Sequence, residues 1–307
     1  MSAGLLLLLL VPTSSYSKDA FSRIEAGDLD ESSGLARSKV HDGVFWSHND
    51  SGGAPEIFAL DFTGNDLGRV SVSGATSRDW EDITTDHVGN LWILDGGNNK
   101  NKRRDLTVIR VPEPTSLNGA VMADRLVRYH FPEQTAFPPP DKNFDSEALF
   151  WDRGRLMLLT KHRADTRTVL YAFPEGFEKA VDRPLGSPSD LVSVPLERVS
   201  EFDVGGDKEN FGGKVTAADI SQDGKHLAVL TYHAVFVFER PASGLNWLSG
   251  SPLQIHLVQL LTQQCEAIAW DHGGLILTNE GRSVMRIEAP LSRECKTFPG
   301  PGCASRR

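Results

Sequence analysis

Apolar residues along this chain fall in short runs separated by glycine turns, and one arrangement recurs five times. A polar or acidic residue precedes a small β-type run, a glycine turn follows, and a second apolar run comes after it. The five openings are Glu31-Ser-Ser-Gly-Leu35, Asp79-Trp-Glu-Asp-Ile83, Asp145-Ser-Glu-Ala-Leu149, Thr216-Ala-Ala-Asp-Ile220 and Gln264-Cys-Glu-Ala-Ile268. Each leads to a turn glycine, in order Gly43, Gly89, Gly154, Gly224 and Gly273. Second strands are predicted over 44–47, 91–94, 156–160, 227–231 and 275–278, and third strands over 56–60, 107–111, 168–173, 235–238 and 283–287. Weaker fourth strands are predicted over 68–72, 126–131, 191–194 and 255–260.

Leu35, Ile83, Leu149, Ile220 and Ile268 serve as registration points, spaced by 48, 66, 71 and 48 residues. The shorter interval suits four strands with tight turns, the size of a propeller blade. The longer ones contain Pro138-Pro139-Pro140 and the stretch around Pro184 and Pro188, read as loop insertions. The fold expected is therefore all-β: a β-propeller of five blades, each a four-stranded antiparallel sheet, with six blades as the alternative if a long interval hides a degenerate one. The last blade lacks a fourth strand of its own, and residues 21–26 are expected to supply it and close the ring.

The composition agrees with this pattern and limits the partners. The chain has 307 residues with 28 Gly and 17 Pro, and closed β architectures use this length as one domain. A formal charge of −9 disfavours a surface for phosphate backbones, so nucleic acid is not an expected partner. Leu5 to Val11 is a short apolar run followed by Ser15 and Ser17, which reads as a signal peptide despite an n-region without Lys or Arg. The expected organisation is a signal peptide over 1–17, one propeller over 18–292 and an irregular tail over 293–307, in a secreted or periplasmic monomer. No other stretch is long and apolar enough to cross a membrane. Of three cysteines, Cys295 and Cys303 are close enough to pair in an oxidising compartment, leaving Cys265 single and buried.

Propeller geometry turns the repeat into a site, because the first strand of each blade lines the central channel. The third residue of each opening then falls at one depth: Ser33, Glu81, Glu147, Ala218 and Glu266. Three carboxylates around one axis repel strongly unless something neutralises them. Ca2+, which accepts roughly 6 to 8 oxygen ligands, fits better than Mg2+ with its tight octahedron. Pairing with Arg or Lys, or sharing of protons, is the alternative. An EF-hand is not the source: Asp28, Asp30 and Ser32 alternate, but Gly34 comes one position late and no terminal Glu follows.

Through Ser33-Gly-Leu35, Asn49-Asp-Ser-Gly52, Arg78-Asp-Trp-Glu-Asp-Ile83, Glu147-Ala-Leu149, Ala218-Asp-Ile-Ser221 and Glu266-Ala-Ile268, the chain resembles a family of secreted bacterial β-propellers of unestablished activity. That resemblance covers most of the length after the signal segment and implies the fold. The axial order also resembles the calcium ring of the calcium-activated nucleotidases, the apyrases, where the fourth member is a serine. Here Ala218 offers only a backbone carbonyl, with Thr216 as a substitute. A more distant similarity to phytase-like and esterase-like propellers implies calcium and phosphoester substrates.

Residues just after each second strand are expected to flank the channel mouth. They include Asn49 and Asp50, Asp95 with Asn98 and Asn99, Lys161 to Arg163, Tyr232 and His233, and Asn279, Glu280 and Arg282. Lys161, Arg163 and Arg282 are candidates for binding oxyanions, and Asp50 or Asp95 for positioning water or a second cation. A small phosphorylated ligand suits that mixture. There is no Gly-x-Ser-x-Gly elbow, His-Glu-x-x-His motif, Walker loop or dinucleotide fingerprint. Two classes remain: a calcium-dependent hydrolase of phosphoanhydride or phosphoester bonds, and a non-catalytic, calcium-stabilised binding or scaffold propeller. Asn49-Asp-Ser51 is a glycosylation sequon in the expected mouth, where a glycan would oppose the first.

Overall fold

The computed structural model describes residues 21–178, 193–206, 214–288, 291 and 296–298. The apolar run Leu5 to Val11, the stretch around Pro184 and Pro188, and both Cys295 and Cys303 lie outside the described residues. The core strands run both faces into neighbouring sheets, which is why they read as continuous apolar runs rather than as alternation. In the strand Asn90–Asp95, Leu91 and Ile93 pack into one apolar cluster while Trp92 and Leu94 pack into the next. Five such clusters occur, each between two successive sheets. The result is a five-bladed β-propeller.

The innermost strands are Ser32–Arg37, Trp80–Thr85, Ser146–Asp152, Val215–Ile220 and Cys265–Asp271, and each touches the inner strand of the blade on either side. Every one starts an antiparallel four-stranded order running outward. The ring closes as the N-terminal segment predicts: Phe21–Arg23 pairs antiparallel with Ser283–Glu288 and becomes the outer strand of the fifth blade. Three outer edges are further covered by short parallel strands, Gly119–Met122, Val194–Pro195 and Thr297–Phe298.

Two expectations are corrected. The outer strand of the third blade is Glu197–Asp203, while Val194–Pro195 pairs with the second blade instead. That outer strand is polar and largely exposed, so it carries no apolar run to find. The fourth-blade register is also displaced by two residues, as the site geometry below shows. Gly43, Gly89, Gly154 and Gly224 adopt the left-handed backbone that tight strand turns require, but in the fifth blade Gly274 does so and Gly273 does not.

The inner strands leave one edge facing the channel, and their backbone groups find partners across blades. Asp82 Oδ2 accepts the Leu149 N–H of the third blade at 2.8 Å and the Ala218 N–H of the fourth at 3.4 Å. Asp219 Oδ2 accepts the Trp270 N–H at 2.8 Å, and the Ser33 hydroxyl donates to the Glu81 carbonyl at 2.9 Å. Asp82→Ala should cost about 1–3 kcal/mol, because it strands buried donors. Thermal denaturation should show a lower melting temperature; an unchanged one would mean that water replaces the carboxylate at no cost.

Candidate functional site

Each inner strand carries a β-bulge near its start, one extra residue opposite the second strand. Pairing skips from Ser32 to Gly34, Trp80 to Asp82, Ser146 to Ala148, Val215 to Ala217 and Cys265 to Ala267. The bulged residues are therefore Ser33, Glu81, Glu147, Thr216 and Glu266, and all are buried. Thr216, and not Ala218, is the fourth-blade member. Ala218 stands two residues further along, paired with Val229 inside an apolar cluster. Registration on Ile220 displaces the fourth blade by two residues, because Ala218 occupies the position of Leu35, Ile83, Leu149 and Ile268. Thr216 Oγ1 donates to the Cys265 carbonyl at 2.9 Å, which keeps its oxygen lone pairs free.

Glu81 joins two groups of carboxylates. Oxygens of Glu81, Asp145 and Glu147 lie within 4.8 Å of one another, as do those of Asp50, Asp79 and Glu81. Glu266 approaches from the other side, accepting the Tyr232 hydroxyl at 2.8 Å. Burial raises the Glu81 carboxyl well above its ordinary value, with Glu147 and Asp50 adding to the effect. Burial, then Asp79 and Glu266, push Asp50 up to about 7. Asp145 is raised by burial and by Glu147, against Arg163. Gly97 leaves room for this convergence, since a Cβ there would collide with Glu81 Oε1 and Asp79.

Lys161 and Arg163 reach into this group of six carboxylates, and Arg103 and Arg78 act on Asp79. Lys161 Nζ donates to Glu147 Oε2 at 2.7 Å and is buried. Burial opposes its charge, but Glu147, Tyr232, Glu266 and Glu81 outweigh it and hold the ammonium well above its ordinary value. Arg163 forks onto Asp145 at 2.6 and 3.1 Å and lies 3.7 Å from Glu147 Oε1. Part of the repulsion is thus relieved from within. Glu147 Oε1 still lacks a hydrogen bond while its side chain is 1% exposed, and Asp50 Oδ1 is also unpartnered. The buried cluster can hold a metal ion, and its all-oxygen donor set suits a hard cation.

Asn98 and Asn99 meet the cluster, the Asn98 N–H donating to Asp145 Oδ1 at 2.6 Å and Asn99 Oδ1 accepting from Arg163, but Asp95, Arg282 and Asn49 go elsewhere. Asp95 is paired with Arg103 at 2.8 Å, and Arg103 also holds Asp105. Arg282 donates to the Ile24 and Glu25 carbonyls, pinning the closing segment rather than facing the cluster. Asn49 accepts from Glu31 N–H and donates to the Asp28 carbonyl, a loop clasp. Asp79 and Asp145 were missed as site residues, although both precede a ring glutamate by two positions and that shared place was the available signal.

No protein-family model matches the chain, and no curated protein does. Solved structures do resemble it. A periplasmic gluconolactonase of Pseudomonas aeruginosa aligns at 15% identity with a TM-score of 0.42, over 81% of this chain and 78% of that one. A gluconolactonase of Xanthomonas campestris aligns at 12% identity and 0.41, over 83% and 71%. Hydrazine synthase of Kuenenia stuttgartiensis aligns at 10% and 0.38 over 81% of this chain, which spans about three fifths (61%) of that one. Likeness at these values carries no argument about activity. Among the described residues no helix is long and apolar enough to cross a membrane.

The buried acids predict how the metal-free protein responds to pH. His48, which burial lowers to about 4, and His162 favour the fold as pH rises, but their contribution is largely complete by pH 7. Asp50 and Asp219 are pushed up to about 7, and Asp145 is raised as well. Each still binds protons in the folded state where the unfolded chain has released them, so stability is present at low pH and lost as pH rises through the folded values. With chelator present, the melting temperature should fall between pH 6.5 and 8. A flat or rising profile would contradict the burial of these acids.

Proposed function

We propose that the channel mouth binds Ca2+ and that the protein is an exported, calcium-dependent hydrolase of phosphoanhydride or phosphoester substrates. The observation that carries this reading is the buried Glu147 oxygen without a hydrogen bond, set among clustered carboxylates. Glu81, Glu147 and Asp145 would hold the ion, with Glu266 and the Ser33 and Thr216 hydroxyls within the same ring. Bound calcium would supply polarisation of a phosphoryl oxygen. Asp50 would take the proton of the attacking water as its oxygen bonds to phosphorus and the bond to the leaving group breaks. Arg163, whose side chain is 30% exposed, would offset the charge that grows on the phosphoryl oxygens. Lys161 has a different part from the one its sequence position suggests. Buried against Glu147, it moderates the ring's charge and is not turned toward a substrate. Export rests on the apolar run Leu5 to Val11.

The Lys161–Glu147 pair favours a second reading, in which the ion is structural and the mouth binds a ligand without turnover. Two measurements separate these. Calcium should raise the melting temperature, since a ligand at about 100 times its Kd stabilises a fold by about 2.7 kcal/mol. Glu147→Gln should abolish most of that gain, and equal melting with calcium and with chelator would remove the metal site. With nucleotides, inositol phosphates and p-nitrophenyl phosphate as substrates, Asp50→Asn and Arg163→Ala should each lower calcium-dependent turnover about 10-fold or more, with roughly 1.4 kcal/mol per factor of ten. Absence of turnover by the unmodified protein, with a ligand still bound at this mouth, would establish the second reading.

A further inference from the structure

The inner strands have a second end, and it is chemically unlike the first. Four residues beyond the bulge, the ring reads Arg37, Thr85, Trp151, Ile220 and Trp270, and these surround a cavity of about 580 Å3 at the opposite mouth of the channel. That is within the range of small-molecule sites, roughly 300–1,000 Å3. We propose that this mouth is a separate binding site for a small ring-bearing organic anion, a carboxylate or a phosphate.

Charge comes first. The acidic residues on the cavity wall are answered locally. Asp152 accepts from Arg240 and from the Trp247 Nε1–H, each at 2.9 Å, and Asp223 is bound by the Ser221 hydroxyl and by Lys225. Asp219 accepts the Ile220 and Trp270 N–H groups. Arg240 is taken up by Asp152, but two other basic residues are not answered in this way. Arg153 has no ion-pair partner among the described residues. Arg37 donates to His272 Nε2 at 2.7 Å, and the acid nearest it is Asp42 at 3.6 Å, itself 98% exposed, a pair of little strength. Lys39 donates to the Asp86 carbonyl at 2.5 Å and is answered by the Asp86, Glu113 and Asp219 carboxylates near it. Among the described residues, Arg153 and Arg37 therefore line the concave surface with no buried acid in an ion pair with either.

Two further observations point to a ligand. The Arg37 Nε–H and Trp151 Nε1–H groups are buried and have no acceptor. Arg153 also holds a left-handed backbone, φ 47°, in the Asp152 to Arg155 turn, where glycine or asparagine would sit without strain. A long cation kept at such a position on a cavity rim is unexplained by the turn itself. Flat apolar surface completes the site: Trp151 lies between the rings of His87 and Trp92, at 5.8 and 6.0 Å, and His87 ends the column exposed at the cavity. A ring can rest there while its anionic group reaches Arg153 and Arg37.

The site is tested in chelator, so that the acidic mouth does not contribute. Calorimetry and tryptophan fluorescence with AMP and with 2-naphthoate should detect binding of at least one, and the tighter of the two identifies phosphate or carboxylate as the anion. Adenosine and inorganic phosphate should each bind at least tenfold more weakly than AMP if phosphate is preferred, and 2-naphthol more weakly than 2-naphthoate if carboxylate is. Arg153→Gly keeps the turn, because glycine adopts that backbone freely, and should weaken binding at least tenfold, as should Arg37→Gln. The proposal is overturned if neither ring anion binds, if the uncharged ring binds as well as the charged one, or if both variants bind like the parent protein.

Discussion

Everything at the centre of this molecule follows from one constraint: five sheet edges meet on an axis where nothing further can pair with them. A propeller hides its outer strands under neighbouring loops and closing segments, but its inner strands end each sheet with open backbone groups. The chain meets this with short polar side chains that reach sideways. Ser33 and Thr216 donate to carbonyls of the next blade, Thr85 donates to the Arg37 carbonyl, Ser32 bonds Thr278 at 2.7 Å, and Asp82 and Asp219 accept backbone N–H groups. Polar residues on inner strands are thus first a requirement of the architecture. Only the surplus over that requirement can be functional.

Sorting the axial residues by that criterion separates them cleanly. The oxygens of Asp82 and Asp219 are occupied by N–H donors, so those two acids belong to the scaffold even though burial raises both. Ser33 and Thr216 serve both ends, because a donating hydroxyl keeps its lone pairs. Glu81, Glu147 and Glu266 occupy the bulges, where the ladder is interrupted. Glu147 has one oxygen on Lys161 and the other without a hydrogen bond, 3.7 Å from the Arg163 guanidinium. A carboxylate oxygen without a hydrogen bond, on a side chain 1% exposed, is what the scaffold does not need.

Much of this was legible because β-propellers repeat, and repetition converts a weak local signal into a strong one. The blade openings, the second and third strands and the closing strand at Phe21–Arg23 all follow from aligning the repeats. Legibility failed where the signal depends on packing. Thr216-Ala-Ala-Asp-Ile220 offers two registers, and the choice of Ile220 over Ala218 looked natural because the other blades have Leu or Ile there. The small Ala218 side chain fits in a cluster with Phe236 and Val229, so bulk in that blade is supplied by the neighbours. Glu197–Asp203 was illegible because an exposed outer strand needs no apolar residues. Lys161 was read as a mouth residue from its place after a second strand; nothing in sequence spacing says that its ammonium turns inward to Glu147. Arg282 shows the converse, a cation in the right loop that turns outward to the closing strand.

The repeat also explains why the two mouths differ. Within one inner strand the bulged residue and the residue four further on are separated by a span of roughly 13 Å at strand rise, with the apolar and alanine layers between. Across that distance, and through a packed interior, a charge at one end has little hold on chemistry at the other. The blades can therefore vary each end independently. At the bulges they converge on Ser, Glu, Glu, Thr and Glu, a set that shares one kind of atom. At the far end Arg37, Thr85, Trp151, Ile220 and Trp270 share no single donor type, and an unequal ring is what recognition of an asymmetric molecule requires. A ring of like donors suits a spherical ion, whereas a ring of unlike ones suits a ligand with a flat face and a charged end. The same five strands thus present both, because strand geometry fixes only where side chains stand and leaves their chemistry to each blade.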